Sequence, residues 1–283
     1  MRKKWKPWLV FALLIFFLLS IYQSNYTFQS VDYLVESPYL PNAFDDFKIC
    51  VLSDIHHRDK DSYSDLLEEI WDKSPDIVVF TGDMVSSSTK DVESLMKFLS
   101  NLSEKFPLYY IYGNHEVDLA RKNPTTKFFK RISEENILHL SNKQVTIMRG
   151  MKKINLAGLE EDYSYYYRPA GNTQLPVFDY LGEKEERFTI LLAHSPLYYE
   201  DYKKWGADLT LSGHLHGGGW RLPFLGGVFS PEVNLFPKYD RGKFGDRSQS
   251  MIVSAGLGNS GLPFRLFNPQ EVVFVTLKSL SIH

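Results

Sequence analysis

Five short apolar runs, each ending at a polar residue, constrain this chain more than any other feature. Ile49-Cys50-Val51-Leu52 runs into Asp54, Ile77 to Phe80 into Asp83, Leu108 to Tyr112 into Asn114, Phe188 to Ala193 into His194, and Leu209 to Leu211 into His214. Runs of this length, rich in β-branched and aromatic residues, have the pattern of buried strands. Between the first two, Leu66, Leu67, Ile70 and Trp71 repeat at helical spacing. After the second, Val92, Leu95, Met96, Leu99 and Leu102 do the same. Strand, helix, strand, helix implies an α/β fold with a right-handed, largely parallel start. The carboxyl ends of such strands form a ligand-binding crevice, so polar residues scattered over more than half the chain are expected to meet there.

The residue types decide what that crevice holds. Asp54, His56, Asp83, Asn114, His194, His214 and His216 make a mixed nitrogen and oxygen donor set without thiolate, suited to Zn, Mn, Fe or related divalent ions. Seven candidate ligands exceed the usual four of a structural zinc site, and a carboxylate bridges two ions held about 3.5 to 4 Å apart. Two divalent ions are therefore expected. Singly, each block has a plainer reading: Gly82-Asp83 and Gly113-Asn114 as turns, His56 and His194 as structural histidines. Together they reverse that balance, because five of the eight histidines, His56, His115, His194, His214 and His216, fall inside the ordered blocks.

Those residues give the chain its resemblance to the calcineurin-like metallophosphoesterases, whose Asp-x-His, Gly-Asp, Gly-Asn-His-Glu, lone His and Gly-His-x-His blocks occur here in that order. They read Asp54-Ile55-His56, Gly82-Asp83, Gly113-Asn114-His115-Glu116, His194 and Gly213-His214-Leu215-His216. The tail Ser254 to Gly258, followed by Gly261-Leu262-Pro263-Phe264-Arg265, resembles the bacterial membrane-anchored branch. The resemblance implies a four-layer α/β/β/α sandwich of two mixed sheets flanked by helices. It implies that Asp54, His56 and His216 bind one ion, that Asn114, His194 and His214 bind the other, and that Asp83 bridges. It further implies hydrolysis of a phosphodiester, phosphomonoester or pyrophosphate by in-line attack of an activated water, with His115 stabilising the transition state or protonating the leaving oxygen. Ser195-Pro196 and Gly219-Trp220 depart from the family's habit beside the ligands, which bears on specificity rather than on hydrolysis.

The N-terminus bears on location. Arg2, Lys3, Lys4 and Lys6 precede Trp8 to Tyr22, apolar but for Ser20. Residues 1–24 read as a signal anchor with its basic end cytoplasmic, since Ser20 to Ser30 offers no Ala-x-Ala-like cleavage site; secretion after cleavage is the alternative. Residues 25–46, broken by Ser37-Pro38 and Pro41-Asn42, read as a tether, and 47–283 as one catalytic domain, since roughly 240 residues suffice for a single core. The expected location is the outer face of the membrane, with lipid-linked or cell-envelope phosphates among the candidate substrates.

Val145 to Leu159 and Val272 to Val275 read as strands of the second sheet. Two stretches, Tyr163 to Thr173 and Trp220 to Phe244, read as rims of the site, with Arg168 or Arg241 contacting a phosphate oxygen. His57 reads as a solvated loop residue near the mouth. Cys50, the single cysteine, reads as a small buried hydrophobe.

Two other function classes are weighed by the same residues. A catalytically inactive metal-binding envelope protein has no use for the proton donor His115. A metal-dependent amide hydrolase of the His-Glu-x-x-His kind lacks its motif. Nucleic acid is not an expected partner: setting aside the four basic residues before Trp8, 28 basic side chains face 34 acidic ones, a balance of −6.

Overall fold

The computed structural model describes residues 7–56, 60–86, 89–167, 173–222, 224–229, 235–259 and 264–280. Helix α1 (Pro7–Tyr26) leads into β1 (Phe28–Ser37), after which strands and helices alternate as the apolar periodicity requires. They are β2 (Lys48–Leu52), α2 (Lys60–Lys73), β3 (Ile77–Phe80), α3 (Glu93–Ser103), β4 (Leu108–Tyr110), α4 (Asn114–Lys122), α5 (Lys127–Ile132) and β5 (Ile137–His139). The second half comprises β6 (Lys143–Arg149), β7 (Lys152–Leu159), α6 (Val177–Leu181), β8 (Thr189–Ala193), α7 (Tyr199–Trp205) and β9 (Leu209–Ser212). There follow a short hairpin of β10 (Arg221–Leu222) and β11 (Gly226–Gly227), then β12 (Gly242–Gly245), β13 (Ser250–Val253) and β14 (Gln270–Ser279).

Two six-stranded sheets result, ordered β1-β14-β2-β3-β4-β5 and β12-β13-β9-β8-β7-β6. The first is parallel except between β14 and β2; the second is parallel at its centre, with antiparallel pairs at both edges. Side-chain alternation along the strands builds the layers. Cys50, Leu52, Val78 and Phe80 pack with Leu66, Ile70, Leu95 and Leu99 of α2 and α3. Their neighbours Ile49, Val51, Ile77 and Val79 point the other way, against Ile154, Leu156, Ile190, Leu192, Leu209 and Leu211 of the second sheet. Ala157, Leu191 and Ala193, on that sheet's far face, meet Val177, Leu181, Tyr202 and Trp205 of α6 and α7. Helix, sheet, sheet, helix is the expected four-layer sandwich, and buried Cys50 serves its core as read.

Two expectations are corrected. Residues 25–46 are not an irregular tether along their length: Phe28–Ser37 forms ten consecutive parallel pairs with β14. The prolines break the chain only after that strand, where Asn42–Phe44 makes a helical turn. Val272 to Val275 belongs to the first sheet, because β14 returns across the sandwich to pair with β1 and β2. Val145 to Leu159 is the antiparallel pair β6–β7 of the second sheet, as expected. Helix α1, with its 20 residues, is long and apolar enough to cross a membrane.

Candidate metal centre

The carboxyl ends of the central strands of both sheets carry the polar residues to one place. Asp54 and His56 follow β2, Asp83 follows β3, Asn114 opens α4 after β4, His194 follows β8, and His214 and His216 follow β9. The loops turn sharply there, and Asp54, His56, Asp83, His214 and His216 all have left-handed φ, between 44° and 71°. A side chain bearing a Cβ resists that conformation, so its repetition at five polar residues marks a site whose geometry the surrounding structure imposes.

Main-chain hydrogen bonds lock these loops together. The amide of Asp54 donates to Gly82 O at 3.0 Å, that of His56 to Asp83 O at 3.1 Å, and that of Gly213 to His194 O at 3.1 Å. Gly213 is required for close approach: a Cβ there would lie 1.8 Å from Ser53 Oγ and 2.3 Å from Asp54 Oδ2. The Asp54 carboxylate is aimed by Ser53 Oγ–H at 2.5 Å and by the His214 amide at 3.1 and 3.0 Å. The Asp83 carboxylate accepts the His115 amide in the first turn of α4 at 2.9 Å, where the helix dipole favours negative charge.

Around these carboxylates the imidazoles close in. His56 Nε2 stands 3.2 Å from His216 Nε2, 3.5 Å from Asp83 Oδ2 and 4.0 Å from Asp54 Oδ1, while His216 Nε2 is 3.5 Å from Asp54 Oδ1. On the other side His194 Nε2 is 3.4 Å from Asp83 Oδ2 and 3.1 Å from Asn114 Oδ1. Donor atoms of Asp54, His56 and His216 lie within 4.8 Å of one another, as do those of Asp83, His194 and His214. A third such group joins His56, Asp83 and His115, so Asp83 is common to both halves of the cluster.

The residues fit divalent ions. Asp54 and Asp83 are buried, and among the described residues every ion-pairing group within 4.0 Å of their carboxylates is an imidazole. Burial pushes His56 down to about 4 and His216 down to about 3, so both are neutral and have lone pairs to offer at neutral pH. Burial also opposes a charge on His194, but the Asp83 carboxylate outweighs it and raises that group to about 10. A bound cation would take over the role of that proton. His194 Nδ1 donates to Thr81 O at 2.7 Å, which fixes the ring and turns Nε2 inward. His56 Nδ1 is buried without a hydrogen-bond partner among the described residues.

His115 is placed differently from the seven. Its Nε2 is 4.0 Å from Asp83 Oδ2, its ring stands edge-on to His56 with centroids 4.6 Å apart, and its side chain is 22% exposed where those of His56 and His194 are sealed. It lines the mouth. Arg241 pairs with buried Glu271, its Nη1 3.6 Å from Oε2. Arg168 and His57 lie outside the described residues.

Sequence reading assigned no role to three residues that hold the site in shape. Glu116 accepts the amides of Asp83 and Gly113, both at 2.9 Å, through Oε2 and that of Val85 at 3.0 Å through Oε1. Asn268 Nδ2 donates to His216 O at 2.7 Å and Gly219 O at 2.9 Å. Buried Arg265 donates through Nη2 to Ala255 O at 2.7 Å and Gly258 O at 2.5 Å, and the same nitrogen lies 3.2 Å from His216 Nδ1. The signal for Glu116 was its place three residues after a helix-capping glycine; nothing local announces the other two.

The chain is similar to known proteins. The family model described as calcineurin-like phosphoesterase matches residues 47–218. The uncharacterized metallophosphoesterase YkuE of Bacillus subtilis (strain 168) is 29% identical over 272 residues, covering 91% of this chain and 88% of that protein. An uncharacterized metallophosphoesterase of Helicobacter pylori (strain ATCC 700392 / 26695) is 32% identical over 249 residues, 86% of this chain and 63% of the relative. Among solved structures, TT1561 of Thermus thermophilus superposes with a TM-score of 0.45 at 13% identity, covering 74% of this chain and 89% of that one.

Proposed function

Since the chain belongs to the calcineurin-like phosphoesterase family and is a metal-dependent phosphohydrolase, we propose that it hydrolyses a phosphate ester at a dinuclear site on the outer face of a membrane. The observation that carries the reading is the sharing of Asp83 between two groups of histidines. Asp54, His56 and His216 hold one ion, Asn114, His194 and His214 the other, and Asp83 spans both. When bound, such ions polarise the phosphoryl group and make water a nucleophile near neutral pH.

The chain's own residues then orient, exclude and deliver. Strained loops fix the donor atoms before any ligand arrives, which removes reorganisation from the reaction. His115, partly exposed and held beside Asp83 by the first turn of α4, serves as proton donor to the leaving oxygen. The retained helix α1 anchors the enzyme, its Ser20 and Ser24 being buried on the catalytic domain. The basic residues before it face the cytoplasm.

The test is to strip the protein of metal, restore Mn, Fe or Zn separately, and assay soluble phosphate mono- and diesters. Activity that returns with at least one metal supports the reading. Retention of two ions without hydrolysis of any ester favours an inactive metal-binding envelope protein instead. A C-terminal reporter that works only in the cytoplasm tests the orientation; an active reporter overturns it.

A further inference from the structure

Helix α1 is fixed along the catalytic domain rather than hung from it. Its Ser20 and Ser24 hydroxyls each accept a backbone amide, from Phe267 and Asn268, at 3.1 Å. Asn25 pairs with the main chain of Arg265 in both directions, Nδ2 to O at 2.9 Å and N to Oδ1 at 2.8 Å. Phe16 packs on Phe267 with ring centroids 5.6 Å apart. Phe16 stands ten residues before the helix end at Tyr26, so the loop runs beside the helix for about 15 Å. Elsewhere α1 is bare, with Trp8 and Phe11 each more than 60% exposed.

The same loop leads in two directions. Inward, Arg265 and Asn268 touch His216. Outward, Trp220 stacks on Phe264 at 5.5 Å and donates Nε1–H to Phe264 O at 3.1 Å, and the Arg221 amide donates to Leu266 O at 2.9 Å. Trp220 starts the β10–β11 hairpin, whose Leu222, Phe224 and Leu225 are 42%, 107% and 64% exposed. Phe224 holds φ at +69°, a conformation unfavourable for an aromatic residue, at the tip. Leu235 and Phe236, 62% and 53% exposed, are tied to the hairpin by the Phe236 amide, which donates to Val228 O at 3.1 Å. Five large apolar side chains on one small projection are costly in water and mark a contact surface.

We infer that this hairpin inserts into the lipid surface that α1 crosses, seating the mouth of the metal centre at the bilayer, and that the substrate is an amphiphilic phosphate ester held in that surface. The occupant is a bilayer because one short segment, Phe264–Asn268, holds both the apolar helix α1 and the base of the apolar hairpin. The substrate class rests on the phosphohydrolase reading above; the seating of the hairpin does not.

The test uses the full chain, metal-loaded and reconstituted in vesicles of phosphatidylethanolamine and phosphatidylglycerol containing doxyl-labelled phosphatidylcholine. Cys50 is buried, so Phe224→Cys accepts an environment-sensitive fluorophore selectively. Met151→Cys, at a 96% exposed position in the β6–β7 turn, is the reference. Quenching by doxyl lipid at position 224 and not at 151 is expected. Equal quenching at both, no quenching at 224, or emission at 224 that changes only with protein concentration, as a protein partner or second copy would cause, overturns the seating. In parallel, F224S/L225S should lower hydrolysis of a lipid phosphomonoester or lipid pyrophosphate in vesicles by about 10²-fold, the scale of two side chains no longer burying apolar surface. Its hydrolysis of a soluble aryl phosphate should remain that of the parent. Loss on both substrates, or on neither, overturns the substrate class. A parent that hydrolyses neither ester overturns the phosphohydrolase reading, while the quenching still decides the seating.

Discussion

The carboxylate of Glu116 holds the loop of Asp83 to the first turn of α4: one oxygen accepts the amides of Asp83 and Gly113 at 2.9 Å each, and the other accepts Val85 at 3.0 Å. The carboxylate of Asp83, which we propose to bridge the two ions, is thus aimed by a residue that need not touch a ligand. Glu116→Ala leaves three amides without their acceptor in a fully buried place. We expect a loss of about 2 to 5 kcal/mol in stability, read by urea unfolding, and about 10- to 100-fold weaker metal binding. Unchanged metal affinity would show that Asp83 is held by other means.

His115→Ala should keep both ions and lose about 10² to 10⁴ in turnover, the usual contribution of a positioned proton donor or acceptor. Elemental analysis and steady-state kinetics on the same preparation separate the two quantities. Loss of an ion, or intact turnover, removes His115 from that role. The His56, Asp83 and His115 grouping makes the metal count the sharper of the two readings.

Gly213→Ala should cost the ion held by Asp54, His56 and His216. Its Cβ falls on Ser53 Oγ and Asp54 Oδ2, so the carboxylate has to leave the line set by the His214 amide. Elemental analysis should find one ion fewer per chain. A full complement of metal would mean that the Ser53 and Asp54 loop yields without consequence.

Asn25→Ala should loosen the anchor from the site. It removes hydrogen bonds to Arg265 N, Arg265 O and Asn259. Amides of the Arg265 to Asn268 segment should exchange with solvent faster, by a local free energy of about 1 to 3 kcal/mol. Exchange that matches the parent would show that Asn25 does not hold α1 to that segment.

The sequence made the centre legible because metal chemistry writes itself in residue types. Asp54, His56, Asp83, Asn114, His194, His214 and His216 are polar where the strands around them are apolar, and each follows a strand end. The alternation of Cys50 and Leu52 against Ile49 and Val51 likewise carries the layer order. What stayed hidden is non-local. β1 is recognisable only by its pairing with β14, some 240 residues away, and its own residues alternate with charges that read as linker. Arg265 and Asn268 act on His216 from the far end of the chain. Arg241, read as a phosphate contact, also pairs with Glu271, which becomes its neighbour only in the fold.

The most direct measurement is a titration of the metal-free protein with Mn(II), followed by electron paramagnetic resonance and by hydrolysis of a soluble phosphate ester. A carboxylate shared between two ions predicts binding of two Mn(II) per chain, a spin-coupled spectrum from the pair, and activity that rises with the second equivalent. Asp83→Asn should abolish the coupling. One ion per chain, or two that remain magnetically isolated while the protein is fully active, would contradict the account.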